Sequence, residues 1–169
     1  MQTYIGRKDS TTQAPPGLLP DVNASADSLF KLFQDKGFDA VDLAALLGAH
    51  STSNQFHFDE SSANAGLPQD STPGVWDVKY YAETTKPPKG VLVLPSDDKL
   101  AKHVTVGKEF KGFVGNAGKW NGKFADAMAR MERFGSDGTK NMIDCTSALP
   151  SATNAKRELK GMPIFAPRH

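Results

Sequence analysis

Two short stretches hold residues whose types and spacing could do chemistry. His50 ends the run Ala40-Val-Asp-Leu-Ala-Ala-Leu-Leu-Gly-Ala-His50, in which Leu43, Leu46, Leu47 and His50 recur at the spacing of one helical face. An imidazole closing an apolar stripe is either a satisfied core side chain or a ligand whose ring nitrogen faces a hydrophobic cavity. These residues alone leave both readings open. The second stretch is Asp70-Ser-Thr-Pro-Gly-Val-Trp-Asp77. Asp70, Thr72 and Asp77 offer hard oxygens, and the Pro73-Gly74 turn lets a backbone carbonyl point inward, which suits the roughly six to eight oxygen ligands of calcium. A plain turn leading into a capped helix accounts for the same residues, and the spacing is not that of an EF-hand.

Other chemistries lack their residues. The four histidines are His50, His57, His103 and His169, and only the first two lie close enough for a zinc pattern, which needs three or four ligands. Neither Gly-x-Ser-x-Gly nor a phosphate-binding loop of the Walker type occurs. The single cysteine, Cys145, excludes an internal disulfide framework and an all-cysteine cluster. Twenty Lys+Arg against nineteen Asp+Glu give a net charge of +1 with no basic block. Bulk charge therefore draws in neither nucleic acid nor an anionic membrane, and neither is expected as a partner. No apolar run approaches the ~20 residues of a membrane span, and residues 1–20 lack the layout of a secretion signal. Asn23-Ala-Ser25 is a glycosylation sequon.

Positioning these stretches requires helices. Pro15-Pro16-Gly17-Leu18-Leu19-Pro20 is rigid loop, because proline fixes φ and disfavours helix at the residue before it. Ser25 then caps a helix over Ala26–Lys36, with Leu29, Phe30, Leu32 and Phe33 at helical spacing and Lys36-Gly37 as the C-cap. Asp39 caps a second helix running to His50, with Asp42 placed as its reciprocal capping partner. Residues 51–73 form a long loop of the functional kind. Asp77–Thr84 can be helical, Gly90–Leu94 is strand-like, and Ser96 caps a helix to His103. Two more helices span Thr105–Val114 and Ala117–Phe134, the latter with Trp120, Phe124, Met128 and Met131 along one side, read as core. Met1–Ile5 looks like the end of a buried strand or loop inside a longer chain. The expectation is an all-α domain over residues 1–150, with five or six helices and minimal sheet, followed by an irregular tail over 151–169.

Taken in order, Gly6-Arg-Lys-Asp9, Gly17-Leu-Leu-Pro20, Asp42-Leu-Ala-Ala-Leu-Leu-Gly-Ala-His-Ser51, Asp70-Ser-Thr-Pro-Gly-Val-Trp-Asp77, Leu94-Pro-Ser-Asp97 and Met142-Ile-Asp-Cys-Thr146 resemble the fungal secreted haem peroxidases. These form class II, the lignin, manganese and versatile types, of the plant-type peroxidase superfamily. The resemblance covers about residues 3–150 and only the second, proximal half of that family's helical fold. It implies that His50 is the axial ligand of haem b iron through Nε2, and that Asp97 accepts its Nδ1–H. A carboxylate in that place makes the imidazole more electron-donating and lowers the reduction potential. It implies that Leu19 and Pro20 border the haem edge. It also implies that Ser51, Asp70, Thr72, the carbonyl of Val75 and Asp77 hold a structural calcium. The family's activity implies hydrogen peroxide as oxidant, small phenolic or aromatic reductants oxidised one electron at a time, and an extracellular setting.

The departures are equally specific. Peroxide cleavage in the family uses a distal arginine and histidine, and no helix bearing them precedes Gly6, so the distal half is expected to be missing from this chain or supplied by a partner. Cys145 resembles one end of a C-terminal disulfide whose partner position falls near Lys108. Ala45 stands where lignin-type members carry a surface tryptophan, Phe56 where manganese-binding members carry an aspartate, and Gln69 where an aromatic packs beside the imidazole. The chain resembles a generic low-potential peroxidase. The rival expectations are a truncated calcium- and haem-binding module without turnover, and an unrelated helical domain.

Overall fold

Local signals set most of the element boundaries in a computed structural model of the chain, which describes residues 2–8, 10–136 and 138–150. Ser25 Oγ accepts the Ser28 amide at 3.1 Å and starts helix α1, Ala26–Gln34. That helix stops two residues before Lys36. The Phe38 amide reaches the Phe33 carbonyl and the Gly37 amide that of Gln34, a closure that needs the left-handed φ of +83° at Gly37. Asp39 and Asp42 exchange side-chain and backbone hydrogen bonds at 2.9 and 3.0 Å, a complete capping box at the head of α2, Ala40–Leu47. Asp42 also pairs with Arg130.

α2 is the centre of the molecule. Leu43, Ala44 and Ala45 are buried, and the two alanines let helices α5 (Val106–Lys111) and α6 (Ala117–Met131) pack close against it. Tyr80 and Tyr81 of α3 (Lys79–Thr85), Leu100 of α4 (Pro95–Lys102), and Phe110, Phe113 and Trp120 complete one apolar core. The described residues thus hold six α-helices and a single two-stranded sheet, the mainly helical architecture the sequence predicts.

Several boundaries differ from expectation for physical reasons. The expected α-helix to His50 ends at Leu47 and continues as a 3₁₀ segment, Gly48–Thr52. Gly90–Leu94 forms no strand; its one long-range backbone hydrogen bond runs from the Leu92 amide to the Pro68 carbonyl at 2.9 Å, and an apolar run without a neighbouring strand cannot make a ladder. α4 begins one residue before Ser96, with Leu94 as its cap, because Pro95 has a preset φ and no amide hydrogen to satisfy. α3 starts at Lys79 because Asp77 Oδ1 accepts the Lys79 amide from outside the helix. α5 is trimmed in the same way, since His103 Nδ1 accepts the amides of Thr105 and Val106. α6 ends at Met131, before Phe134. Tyr4–Ile5 is a strand, paired antiparallel with Ile143–Asp144, but it is not buried: Ile5 is 54% exposed. The expected tail over 151–169 lies outside the described residues. Among the described residues no helix is long and apolar enough to cross a membrane.

Candidate functional site

The 3₁₀ segment after α2 turns His50 toward the first turn of α4. There His50 Nδ1 lies 2.7 Å from Asp97 Oδ2, joining residues 47 apart in the chain. Asp97 is 1% exposed, and a carboxylate offers only acceptors, so Nδ1 carries the proton. Nε2 is left as the second nitrogen of a ring that lines a cavity. The same Asp97 oxygen accepts the Tyr80 hydroxyl at 2.8 Å and has Gln69 Nε2 at 3.5 Å. Tyr80 also sets its ring at 88° to the imidazole, with centroids 5.7 Å apart. Ser53 Oγ donates to the His50 carbonyl at 2.9 Å and fixes the backbone behind the ring.

The electrostatics follow from this arrangement. Burial pulls the His50 pKa down, but the hydrogen bond and charge of Asp97 outweigh it and hold the imidazole above its ordinary 6.5. Burial first, and Asp97 second, push the Tyr80 hydroxyl well above its usual range, so it remains a donor. An imidazole whose Nδ1–H leans on a buried carboxylate presents a more basic Nε2, which is what a metal ligand needs.

The cavity in front of His50 has a volume of about 460 Å³. Leu29 and Phe33 of α1, Leu43, Leu46 and Leu47 of α2, Leu94 at the cap of α4 and Leu100 within it, and Phe124, Met128 and Met131 of α6 line it. Three of the α6 residues read as core therefore face this cavity, while Trp120 alone of that set is fully buried. Pro20 lines the cavity, but Leu19, 86% exposed, does not. A mostly apolar space whose polar lining is Asp21, Ser96, Asp97 and one imidazole fits a mostly apolar prosthetic group held by a single ring nitrogen. A larger concavity of about 520 Å³, lined among others by Arg7, Lys8, Ser136 and Asn141, has no histidine or carboxylate among its described residues and lacks that chemistry.

Behind the turn that carries His50 lies the second cluster. Ser51 and Asp70 are wholly buried, and Ser51 Oγ and Asp70 Oδ2 have no hydrogen-bond partner. Each such orphan costs roughly 1–3 kcal/mol. Asp70 Oδ1 accepts the Thr72 amide, Thr72 Oγ1 donates to Asp77 Oδ2 at 2.9 Å, and the Val75 amide closes a turn on the Thr72 carbonyl. Burial first, then the charges of Asp77 and Glu83, raise the Asp70 pKa against the opposing Thr72 amide. Glu83 accepts both the amide and the hydroxyl of Ser71, and so braces the loop. No group of three or more His, Cys, Asp and Glu among the described residues could hold a metal ion; this cluster has two carboxylates, and its other oxygens are neutral.

The sequence reading missed Tyr80 and treated Gln69 only as a departure. Tyr80-Tyr81 was the available signal, since two adjacent tyrosines on a short helix point to different neighbours, but nothing in the spacing ties either one to Asp97.

Comparison with known proteins bears on the same residues. The peroxidase family profile matches residues 1–116. A low-redox potential peroxidase of Taiwanofungus camphoratus is 30% identical over 167 residues, which is 89% of this chain and 49% of that protein. Ligninase LG5 of Phanerodontia chrysosporium is 29% identical over 99% of this chain and 49% of its own length. Manganese peroxidase 3 of Phlebia radiata is 28% identical over 88% of this chain and 45% of its own. The chain spans about half the length of the curated relatives it matches. With most of its length under the peroxidase profile and a helical fold to match, the chain belongs to the peroxidase family, on the fungal class II branch that holds the ligninases and manganese peroxidases.

Proposed function

We propose that this chain is the proximal, haem-holding part of a peroxidase that reduces hydrogen peroxide and oxidises small phenolic or aromatic donors one electron at a time. The observation that carries the reading is the 2.7 Å pairing of His50 with the buried Asp97 at the wall of an apolar cavity. His50 would hold haem iron through Nε2, with Pro20 at the cavity's edge. Haem, when bound, supplies the redox chemistry. The residues of the chain do the rest. Asp97 keeps the proton on Nδ1 and makes Nε2 a stronger donor, Tyr80 and Gln69 hold Asp97 in place, and the leucine, phenylalanine and methionine walls exclude water. Ser51, Asp70, Thr72, the Val75 carbonyl and Asp77 would hold calcium, which would satisfy the two orphaned oxygens and pin the loop to the residue after His50. The groups that move protons at the peroxide are proposed to come from the part of the relatives' length that this chain does not span. An extracellular location is proposed with the resemblance.

Titration of the chain with hemin tests the reading. A Soret band saturating at one equivalent is expected, with little guaiacol turnover by the 169 residues alone. Fusion of the preceding half of the Taiwanofungus camphoratus peroxidase ahead of this chain should restore guaiacol turnover. A chimera that holds haem without turnover would reduce the chain to a haem-binding module.

Two results follow from the electrostatics. Iron competes with a proton for Nε2, and Asp97 raises the pH at which that proton is lost. The stabilisation from protonated His50 beside Asp97 is complete below the unfolded value of 6.5 and disappears as pH rises through the raised folded value. Haem affinity runs the opposite way: it should be flat above the raised value and fall about tenfold per pH unit below it. Hemin titrations across about pH 5–8 read the inflection, which Asp97→Asn should move downward. The second result concerns Tyr80, whose hydroxyl takes up part of the Asp97 charge. Tyr80→Phe should return that charge to the imidazole and lower the iron reduction potential by roughly tens of millivolts. An unchanged potential in spectroelectrochemistry would show that Asp97 does not divide its charge between the two donors.

A further inference from the structure

We propose that Tyr81 and Trp120 are positioning residues for His50, holding the end of α2 in its 3₁₀ form through hydrogen bonds to the Ala44 and Ala45 carbonyls. Tyr81 Oη donates to the Ala44 oxygen at 2.9 Å, and Trp120 Nε1 donates to the Ala45 oxygen at 3.0 Å. Both side chains are fully buried. In an uninterrupted α-helix these two carbonyls would accept the amides of Gly48 and Ala49. Here the Gly48 amide reaches back to Ala45 instead, α2 ends at Leu47, and Gly48–Thr52 is wound as 3₁₀.

The change in winding has a direction. A 3₁₀-helix turns about 120° per residue against about 100° for an α-helix, so three residues from Leu47 to His50 rotate the imidazole by about 60° from the leucine stripe it would otherwise extend. That rotation is of the kind needed for a ring to line the cavity with Leu46 and Leu47 while its Nδ1 reaches Asp97 on α4.

Gly48 is the opening through which both donors enter. Its φ of −61° is one that any residue adopts, so conformational freedom does not explain the glycine. Space does: a Cβ there would lie 2.4 Å from Trp120 Nε1 and 2.4 Å from Tyr81 Oη. Burial drives the Tyr81 pKa far upward against the opposing Gly48 amide, so its hydroxyl stays protonated and donating wherever the protein is folded. Tyr81 comes from α3 and Trp120 from α6, so two separate helices meet on the same turn of a third.

The consequence for a bound ligand rests on the proposed role of His50 as axial ligand; the hydrogen bonds themselves concern the chain alone and are tested without haem. In the full chain with ¹⁵N-labelled histidine, the His50 Nδ1 proton should appear far downfield and exchange slowly with water. Tyr81→Phe combined with Trp120→Phe removes both donors and leaves an aromatic ring at each site, the one at 120 smaller than the indole it replaces. It should move that resonance toward that of free imidazole and speed its exchange about tenfold. Gly48→Ala should produce the same change. Phe113→Leu is the control: it disturbs the ring next to Tyr81 and lowers stability, but touches neither carbonyl. An unchanged resonance in the folded double variant overturns the proposal, as does an equal shift in Phe113→Leu at matched stability. Should the double variant not fold, Tyr81→Phe, which deletes one oxygen, decides with a smaller shift of the same sign. A wild-type chain that fails to bind hemin would remove the ligand reading, while the resonance would still report on this one.

Discussion

His50→Ala is expected to abolish the five-coordinate haem spectrum and to weaken hemin binding by more than about 100-fold, since losing only the hydrogen-bond partner of a ligating histidine already costs about 10–100-fold. Residual association through the apolar cavity should remain, because burial of porphyrin against leucine and phenylalanine does not depend on the imidazole. That residue would have a broad, unligated spectrum. Added imidazole should restore the five-coordinate band, because Asp97 remains in place to accept its N–H. The other histidines make poor substitutes. The His57 side chain is 94% exposed, and His103 is committed at both nitrogens, with Nε2 on Asp27 and Nδ1 on the amides of Thr105 and Val106. His169 lies outside the described residues. An unaltered spectrum in the variant would place the ligand elsewhere and undo the proposed function.

How far the site can be read from sequence depends on how local each cause is. The Asp39-x-x-Asp42 box and the Ser25 cap are legible because a cap is an exchange between residues three apart. The closure at Gly37 is legible for the same reason. The end of α2 is not: it is set by Tyr81 and Trp120, which sit 37 and 75 residues beyond the carbonyls they bind. Periodicity alone extends the α-helix to His50 because nothing near residue 48 announces a competing donor. Gly48 is the one local trace, and its meaning appears only when the space beside it is seen to be filled. The pairing of His50 with Asp97 is visible beforehand only through the family resemblance, since no propensity rule joins a helix end to a carboxylate 47 residues on. Phe124, Met128 and Met131 pack against the core as read and also line the cavity, a second role that periodicity does not reveal because a cavity wall and a core face have the same pattern of apolar residues. Gly90–Leu94 shows an outright error, in which strand-like composition meets no strand to pair with.

Asp70→Ala provides the second large effect, and its sign depends on calcium. In chelated buffer at neutral pH the wild-type chain holds a buried carboxylate with one unpaired oxygen beside Asp77 and Glu83. Its pKa is raised above the ordinary 3.8, so the contribution it makes when protonated is lost as pH rises through the raised value. Removing the group relieves that cost but gives up the hydrogen bond from the Thr72 amide, so the metal-free melting midpoint should stay nearly unchanged at neutral pH. With calcium at about 100 times its dissociation constant, a folded-state ligand adds ~2.7 kcal/mol, which for a chain of this length raises the midpoint by about 5–10 °C. The wild type should show that rise, and Asp70→Ala should lose most of it. Lowering the pH of the chelated wild type toward the raised Asp70 value should recover part of the stability that calcium supplies, because a proton then neutralises the same carboxylate. Paired thermal melts with calcium and with chelator distinguish the two roles of this loop. If Asp70→Ala lowers the midpoint equally in both buffers, the residue is a turn-former that holds the Thr72 amide, and the two orphaned oxygens of Ser51 and Asp70 are not a cation site.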